Sequence, residues 1–168
     1  MSPNQFWKHK NHIVILEAIS RLKNSEIDFQ VVFTGSENDY RNKDYFQMLK
    51  NYVSENNLEN WVKFLGFISR EDQLCLMDNS LAIIQPSLFE GWSTVVEDAK
   101  SLSQFIILSD IEVHKEQIKD NSIFFNPKSS VDLSTIMRDI LENGVNRKDI
   151  DYSSNILNFG KSILKALH

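Results

Sequence analysis

The sequence predicts an α/β fold: a Rossmann-like parallel sheet with helices on both faces. Helical and strand patterns alternate along the chain, the strands are short continuous apolar runs, and three of them stop at Gly35, Gly66 or Pro86. Continuous apolar strands separated by helices are typical of parallel sheets covered on both faces. The 168 residues suffice for one core but not for two ordinary domains, so residues 1–168 are expected to form a single domain.

Apolar periodicity places the elements in order. Helical spacing over residues 12–22 predicts a helix, and the β-branched run at 29–34 predicts the strand that follows it. The same alternation predicts further helices at about 45–53, 69–77, 94–102, 113–118 and 131–141, and further strands at 61–65, 81–85, 105–108 and 122–125. Ser69 is expected to begin its helix as an N-cap residue.

The two ends of the chain are less regular. The first strand is expected to be cut short, because the chain opens almost directly on Asn4. Residues 143–168 are predicted to be a polar linker, at 143–151, followed by a terminal helix at about 154–167.

Composition excludes several classes of protein. Eighteen basic and 23 acidic residues give a net charge of −5, which argues against a protein that mainly holds nucleic acid. No apolar run reaches the roughly 20 residues that span a bilayer. The N-terminus lacks a secretory signal pattern, and a lone cysteine, Cys75, cannot form an internal disulfide, so a cytoplasmic location is expected.

Three loops follow predicted strands, after Phe33, after Leu65 and after Ile84. The loop after Ile84 is the most informative of them. Ligands of parallel α/β sheets bind outside the carboxyl ends of the strands, near helix N-termini. Gly91 allows close backbone approach and Ser93 is expected to act as the N-cap of the next helix, which suits a diphosphate.

Acidic residues in such a loop need a role other than binding phosphate. Glu90 can accept hydrogen bonds from sugar hydroxyls, and an acid one turn into the helix can hold both hydroxyls of a ribose. Taken singly, Glu90 is more typical of a solvated loop acid, and Trp92 of a packing residue. Their combination with the strand end and the helix start favours a ligand site.

Four segments together resemble the C-terminal domain of family 4 glycosyltransferases, which have the GT-B fold and retain the anomeric configuration. They are residues 5–12, 62–66, 89–100 and 109–117, and the resemblance extends from about Asn4 to Ile140.

The resemblance implies two acids that contact the donor. In the family, two Glu residues with seven residues between them contact the donor. The first holds the sugar and the second holds the ribose. Glu90 matches the first, whereas the second position falls on Asp98, which is one methylene shorter. Glu97 lies about 100° away around a helix and is therefore a poor substitute.

The resemblance also implies a diphosphate site at the start of the chain. Lys10 matches the family's conserved lysine, but Gln5 stands where an arginine is usual and brings no charge. Lys10 and Glu90 are thus the candidate catalytic residues. The candidate donor-binding residues are Gln5, Gly35, Phe67, Gly91, Trp92, Ser93, Thr94 and Asp98.

The implied function is retaining transfer of a hexosyl group from a UDP-, GDP- or similar sugar to an acceptor hydroxyl, in polysaccharide or glycoconjugate biosynthesis. No cofactor and no metal are expected, since His9 and His12 lack a third ligand at a fitting interval. The acceptor, a sugar or lipid-linked glycan, would be bound through the family's N-terminal domain. That domain has no counterpart in these residues, so the isolated chain is expected to transfer little or no sugar, and peripheral membrane association of the full enzyme is left open.

Three alternatives remain open from the sequence. A non-catalytic nucleotide-sugar-binding module would have the same fold, with Gln5 and Asp98 as signs of lost activity. A nucleotide-sugar epimerase would act without an acceptor, although the 86–92 segment argues against it. A receiver-like interaction domain would not bind nucleotides.

Overall fold

A computed structural model describes residues 1–153 together with Leu157, Lys161 and Lys165. The strands are β1 (Ser2–Pro3), β2 (Val31–Thr34), β3 (Val62–Phe64), β4 (Ile83–Gln85), β5 (Ile106–Ser109) and β6 (Ser122–Phe125). The helices are α1 (His12–Leu22), α2 (Tyr45–Glu55), α3 (Arg70–Asp78), α4 (Thr94–Ser101), α5 (Glu112–Gln117) and α6 (Ser130–Asn143), with a 3₁₀ turn at Lys8–Lys10. The predicted terminal helix at 154–167 falls outside the described residues apart from these three positions.

All strand pairs are parallel, as the sequence predicts. The strands pair as β1-β2-β3 and as β4-β5-β6. Met1 joins the two sets, because its amino group donates to the Ala82 carbonyl at 2.9 Å and its carbonyl accepts from the Ile84 amide at 2.8 Å. The strand order is therefore 3-2-1-4-5-6, and it reverses between β1 and β4.

Apolar side chains cover both faces of the sheet. One core cluster joins α1, α2 and α6 to the sheet around Phe6, Ile15 and Phe33. A second cluster joins α3 and α4 to the sheet around Met77, Val96 and Leu108. Two-sided burial explains why the strands are apolar without alternation. No described helix combines the length and apolar character that crossing a membrane requires.

The two irregular ends differ from a simple reading of the sequence. The first strand is present, but it contains only Ser2 and Pro3. Three hydrogen bonds hold the predicted linker against the domain. The Lys148 amide donates to Asn121 Oδ1 and the Lys148 carbonyl accepts from Asn121 Nδ2, each at 2.7 Å. The Ile150 amide donates to Ser103 Oγ at 2.9 Å. These partners are remote in sequence, so polarity alone could not indicate them.

Candidate functional site

The candidate site lies where the strand order reverses. At this point the chain leaves β1 and β4 in opposite directions, which opens a crevice at their carboxyl ends. A side-chain hydrogen bond of 2.7 Å, from Asn4 Nδ2 to Gln85 Oε1, connects the two strand ends across the crevice. Both residues are buried.

Glu90 is fixed in this crevice through one of its two carboxylate oxygens. Oε1 accepts from Lys10 Nζ at 2.6 Å, from Gln85 Nε2 at 2.7 Å and from Ser87 Oγ at 2.7 Å. Oε2 has no hydrogen bond to any described residue. The carboxylate is therefore oriented by the protein and keeps one oxygen for a ligand.

Lys10 and Glu90 form an ion pair that is largely shielded from water. Their side chains are 13% and 9% exposed. Charge-assisted hydrogen bonds are short and strong, and a shielded pair depends on having its remaining polar groups satisfied. Lys10 thus brings a positive charge to the crevice, and its predicted contact with a diphosphate stays a prediction.

Backbone contacts hold the two loops of the site together. The Leu88 amide donates to the His9 carbonyl at 2.8 Å, and Asn11 Nδ2 donates to the Pro86 carbonyl at 3.1 Å. The loop after β4 is consequently fastened to the turn that carries Lys10, although about 80 residues separate them in sequence.

The N-terminus of α4 opens on the same crevice, but Ser93 is not the cap that the sequence predicts. Ser93 occupies the N-cap position without a side-chain capping bond, because its Oγ accepts from Gln85 Nε2 at 3.2 Å instead. Gln117 binds the Ser93 backbone, accepting from its amide and donating to its carbonyl, each at 3.0 Å. Among the described residues, no side chain therefore caps the first turn that begins at Thr94, which suits an anion.

Sequence reasoning missed Gln85 and Gln117. Gln85 is a buried amide in an otherwise apolar strand, and that contrast was an available signal. Gln117 gave no such signal, because a glutamine on a short helix is ordinarily exposed.

Asp98 lies one turn into α4 and is already paired. Arg70 binds it in bidentate fashion, with Nη1 to Oδ2 at 2.7 Å and Nη2 to Oδ1 at 2.5 Å. The hydrogen bonds that Arg70 donates to Asp98 raise the pKa of Arg70. Glu97 points to other partners, Lys100, Gln117 and Tyr152. A ribose that bound to Asp98 would have to displace Arg70 or share the Asp98 carboxylate with it.

Gln5 and Gly35 pack the loops that follow β1 and β2. Gln5 Oε1 accepts from the Ser36 amide at 2.7 Å. A Cβ at Gly35 would lie 2.2 Å from the Asn4 carbonyl oxygen, and the φ of +145° is itself unfavourable for other residues. The glycine is thus required for close approach of the two backbones.

The remaining candidates lie at the surface, in the loops that follow the carboxyl ends of β3 and β4. Phe67 is 79% exposed and Trp92 is 54% exposed, so both rings are accessible to a ligand. Gly91 has no atom within 4 Å of an added Cβ. The structure thus brings Lys10, Glu90 and Ser93 into one hydrogen-bonded network, whereas Asp98 and Gln5 bind other residues.

His114 is connected to this network through Ser109. Its Nδ1 contacts the Ser109 carbonyl at 2.9 Å, and Ser109 Oγ donates to the Ser87 carbonyl at 2.6 Å. A carbonyl only accepts, so Nδ1 carries the proton and Nε2 is left as a buried acceptor without a partner among the described residues. Burial lowers the pKa of His114, which keeps the ring neutral.

Comparison with known proteins agrees with this geometry. Residues 1–155 match the model of the family described as "Glycosyl transferases group 1". The chain belongs to that family. The resemblance to the C-terminal, GT-B domain is confirmed, and so is the Rossmann-like fold.

Several known proteins are similar to this chain in sequence or structure. The O-antigen chain mannosyltransferase RfbU of Salmonella typhimurium is 26% identical over 97 residues, which are 58% of this chain and 28% of that protein. The Anabaena protein Alr3699/HepE, solved in complex with UDP, has a TM-score of 0.74 at 19% identity over 84% of this chain and 38% of its own. The C-terminal domain of the group 1 glycosyltransferase LpcC from Francisella tularensis has a TM-score of 0.70 at 22% identity over 85% of this chain and 73% of its own.

These relatives are mostly much longer than the matched region. The chain spans 28% of the mannosyltransferase and 38% of the Anabaena protein. At such identities the solved structures establish the fold of this chain, which is that of a glycosyltransferase domain.

Proposed function

We propose that this domain binds a nucleoside-diphosphate sugar and positions it for retaining transfer of a hexosyl group to an acceptor hydroxyl. The observation that carries the proposal is the arrangement of Glu90. Three donors occupy its Oε1, while Oε2 is unbonded by the described residues beside the uncapped start of α4. A sugar hydroxyl fits the free oxygen, and the diphosphate fits the helix N-terminus.

The chemistry assigns one task to each group. As the bond from the anomeric carbon to the diphosphate breaks, negative charge grows on the departing oxygen. Lys10 and the α4 amides stabilise that charge, because both are already oriented before the charge develops. The acceptor hydroxyl forms the new bond and gives its proton to the departing phosphate, so the enzyme needs no nucleophile of its own.

Asp98 is proposed to hold the ribose after Arg70 moves or shares the carboxylate. The first donor to test is UDP-glucose, because the structurally similar Anabaena protein has been solved in complex with it. Transfer also requires the acceptor to be held in reactive geometry. We therefore expect this chain alone to bind donor and to transfer little or no sugar.

The deciding experiment compares UDP with UDP-glucose and GDP-mannose on wild type and Glu90→Gln. Glu90→Gln should weaken binding of the nucleotide sugar about tenfold or more, since a charged hydrogen bond to a hydroxyl is lost. Binding of UDP alone should change little. Glu116→Gln, an exposed acid on α5, is the matched control. Calorimetry that detects none of these ligands on wild type would contradict the proposal.

Two observations favour a second candidate, a non-catalytic nucleotide-sugar-binding module. Asp98 is engaged by Arg70, and Gln5 offers no charge and is engaged by Ser36. Fusing the chain to the N-terminal domain of a group 1 relative separates the candidates. Sugar transfer by the fusion supports the enzyme, and donor binding without transfer supports the module.

A further inference from the structure

A cationic and aromatic cluster lies beside the donor site and has no role in it. The Arg41 guanidinium lies 5.4 Å from the centre of the Trp7 ring and 5.3 Å from the centre of the Tyr40 ring. Trp7 is three residues before Lys10, and the loop that carries Tyr40 and Arg41 follows β2. The cluster therefore lies at the same carboxyl edge of the sheet as the crevice.

Asp39 anchors this cluster. Its side chain is 2% exposed and accepts from the Arg41 amide at 3.0 Å, Arg41 Nε at 3.4 Å and Asn42 Nδ2 at 3.1 Å. Desolvation raises the pKa of Asp39, but the hydrogen bonds from Arg41, Asn42 and Lys8 outweigh it, so the pKa lies below its usual value. An ionised, almost fully covered acid thus holds the loop and the stem of Arg41 in one arrangement.

The outer end of Arg41 remains available. Neither Nη1 nor Nη2 has a hydrogen bond to a described residue, and the side chain is 47% exposed. With Nε fixed on Asp39, the two terminal nitrogens form an oriented fork that matches the two oxygens of a phosphate or carboxylate. Tyr40, which is 81% exposed, presents an open aromatic face next to that fork.

A shallow depression of about 580 Å³ lies against this fork. Such a volume accommodates a small ligand like a monosaccharide. Lys8 and Lys43 line it with Tyr40 and Arg41, and Asp44 is the acid among its lining residues. Because Asp39 is satisfied by its own donors, the accessible charge is predominantly positive.

We propose that Tyr40 and Arg41, with Trp7 packed against the Arg41 guanidinium, form a second subsite, which binds a sugar bearing an oxyanion, as part of the acceptor. The Tyr40 ring would pack against the apolar face of the sugar, and the Arg41 fork would pair with its phosphate or carboxylate. The assignment rests on the proposed function, because an acceptor exists only if the domain serves a transferase. It adds a chemical class, an anionic acceptor, that the donor site does not specify.

The test uses the whole chain in the presence of saturating UDP, which fills the donor site. Glucose 1-phosphate, glucuronate and glucose are titrated separately, and NMR follows the Trp7 indole N–H and the Arg41 Nε–H. Both anionic sugars should shift these signals. The affinity for glucose should be lower by about tenfold or more. The stronger of the two anionic sugars identifies the oxyanion as phosphate or carboxylate.

Two variants test the residues. Arg41→Gln should weaken the anionic sugars about tenfold while leaving UDP binding unchanged, and Tyr40→Ala should weaken both anionic sugars and glucose. Arg138→Gln, an exposed arginine on α6, is the matched control and should have no effect.

Several results would overturn the subsite. These are equal binding of glucose and glucose 1-phosphate, unchanged binding by Arg41→Gln, inorganic phosphate binding as tightly as glucose 1-phosphate, or binding of glucose 1-phosphate only when UDP is absent. The last result would assign Arg41 to the donor diphosphate. If UDP does not bind at all, the proposed function fails separately, and the same titrations without UDP still test the oxyanion site.

Discussion

Lys10 Nζ lies 2.6 Å from Glu90 Oε1, although the two residues are 80 positions apart in the chain. Each belongs to a loop at the carboxyl edge of the sheet, on either side of the point where strand order reverses. The pair combines the positive charge that a diphosphate needs with an acid that is oriented rather than solvated. Their contact makes Lys10 the support of Glu90 as well as the proposed contact to the diphosphate.

Lys10→Gln is expected to weaken UDP binding about tenfold or more, and uridine binding hardly at all. Lys10 is proposed to contact only the diphosphate, and charged hydrogen bonds to phosphate are strong. Calorimetric titration of both ligands provides the comparison. Lys119→Gln, an exposed lysine remote from the crevice, should bind UDP like wild type. Equal losses for UDP and uridine would mean that Lys10 acts mainly by holding the loop.

The Arg70–Asp98 pair gives a prediction about the ribose. Asp98→Ala should weaken UDP binding about tenfold and leave 2′,3′-dideoxy-UDP unaffected, since the carboxylate is proposed to contact the nucleotide through the ribose hydroxyls alone. Arg70→Ala should tighten UDP, because it removes the competing cation. Arg70 is 56% exposed, so losing the pair should cost no more than about 1 kcal/mol in the free energy of unfolding. Identical changes for both nucleotides in Asp98→Ala would exclude the ribose role.

Much of the fold was predictable because most of the strands are short runs of mainly apolar residues. Strand β5, for example, is buried along its whole length at Ile106–Ser109. Strand β1 escaped clear prediction because Ser2 and Pro3 carry no β-strand signal and are paired by backbone bonds to remote strands. Glu90 and Lys10 stand out in the sequence as candidates because their segments resemble the family's motifs, but Arg70 meets Asp98 over 28 positions and no local pattern indicates that contact.

Gly35 and Gly91 offer a matched test of backbone packing. Gly35→Ala should lower the free energy of unfolding by about 2–4 kcal/mol, because the new methyl group would meet the Asn4 carbonyl oxygen at 2.2 Å. Gly91→Ala should change it by about 0.5 kcal/mol or less, since nothing lies within 4 Å of its added Cβ. Urea unfolding followed by circular dichroism measures both. Similar losses in the two variants would show that the tight contact at Gly35 is relieved by movement of the loop.

His12 makes stability depend on pH. The ring is fully buried, stacks on Phe6 with centroids 4.8 Å apart, and has no hydrogen-bond partner for either nitrogen among the described residues. Burial lowers the pKa of His12 from 6.5 to about 3. Below pH 6.5 the unfolded chain therefore binds a proton that the folded chain excludes, and stability falls as the pH decreases from 6.5 toward 3.

The size of this effect can be isolated with His12→Leu, which replaces the titratable ring with an apolar side chain of similar volume. Between pH 7 and pH 4.5 the wild type should lose about 2–3 kcal/mol more than the variant, since about two pH units lie below the unfolded pKa. The amino group of Met1, whose pKa burial lowers to about 5, destabilises both proteins equally in this range. Urea midpoints at the two pH values give the double difference. Equal losses in wild type and variant would mean that the buried ring accepts a proton without unfolding the domain.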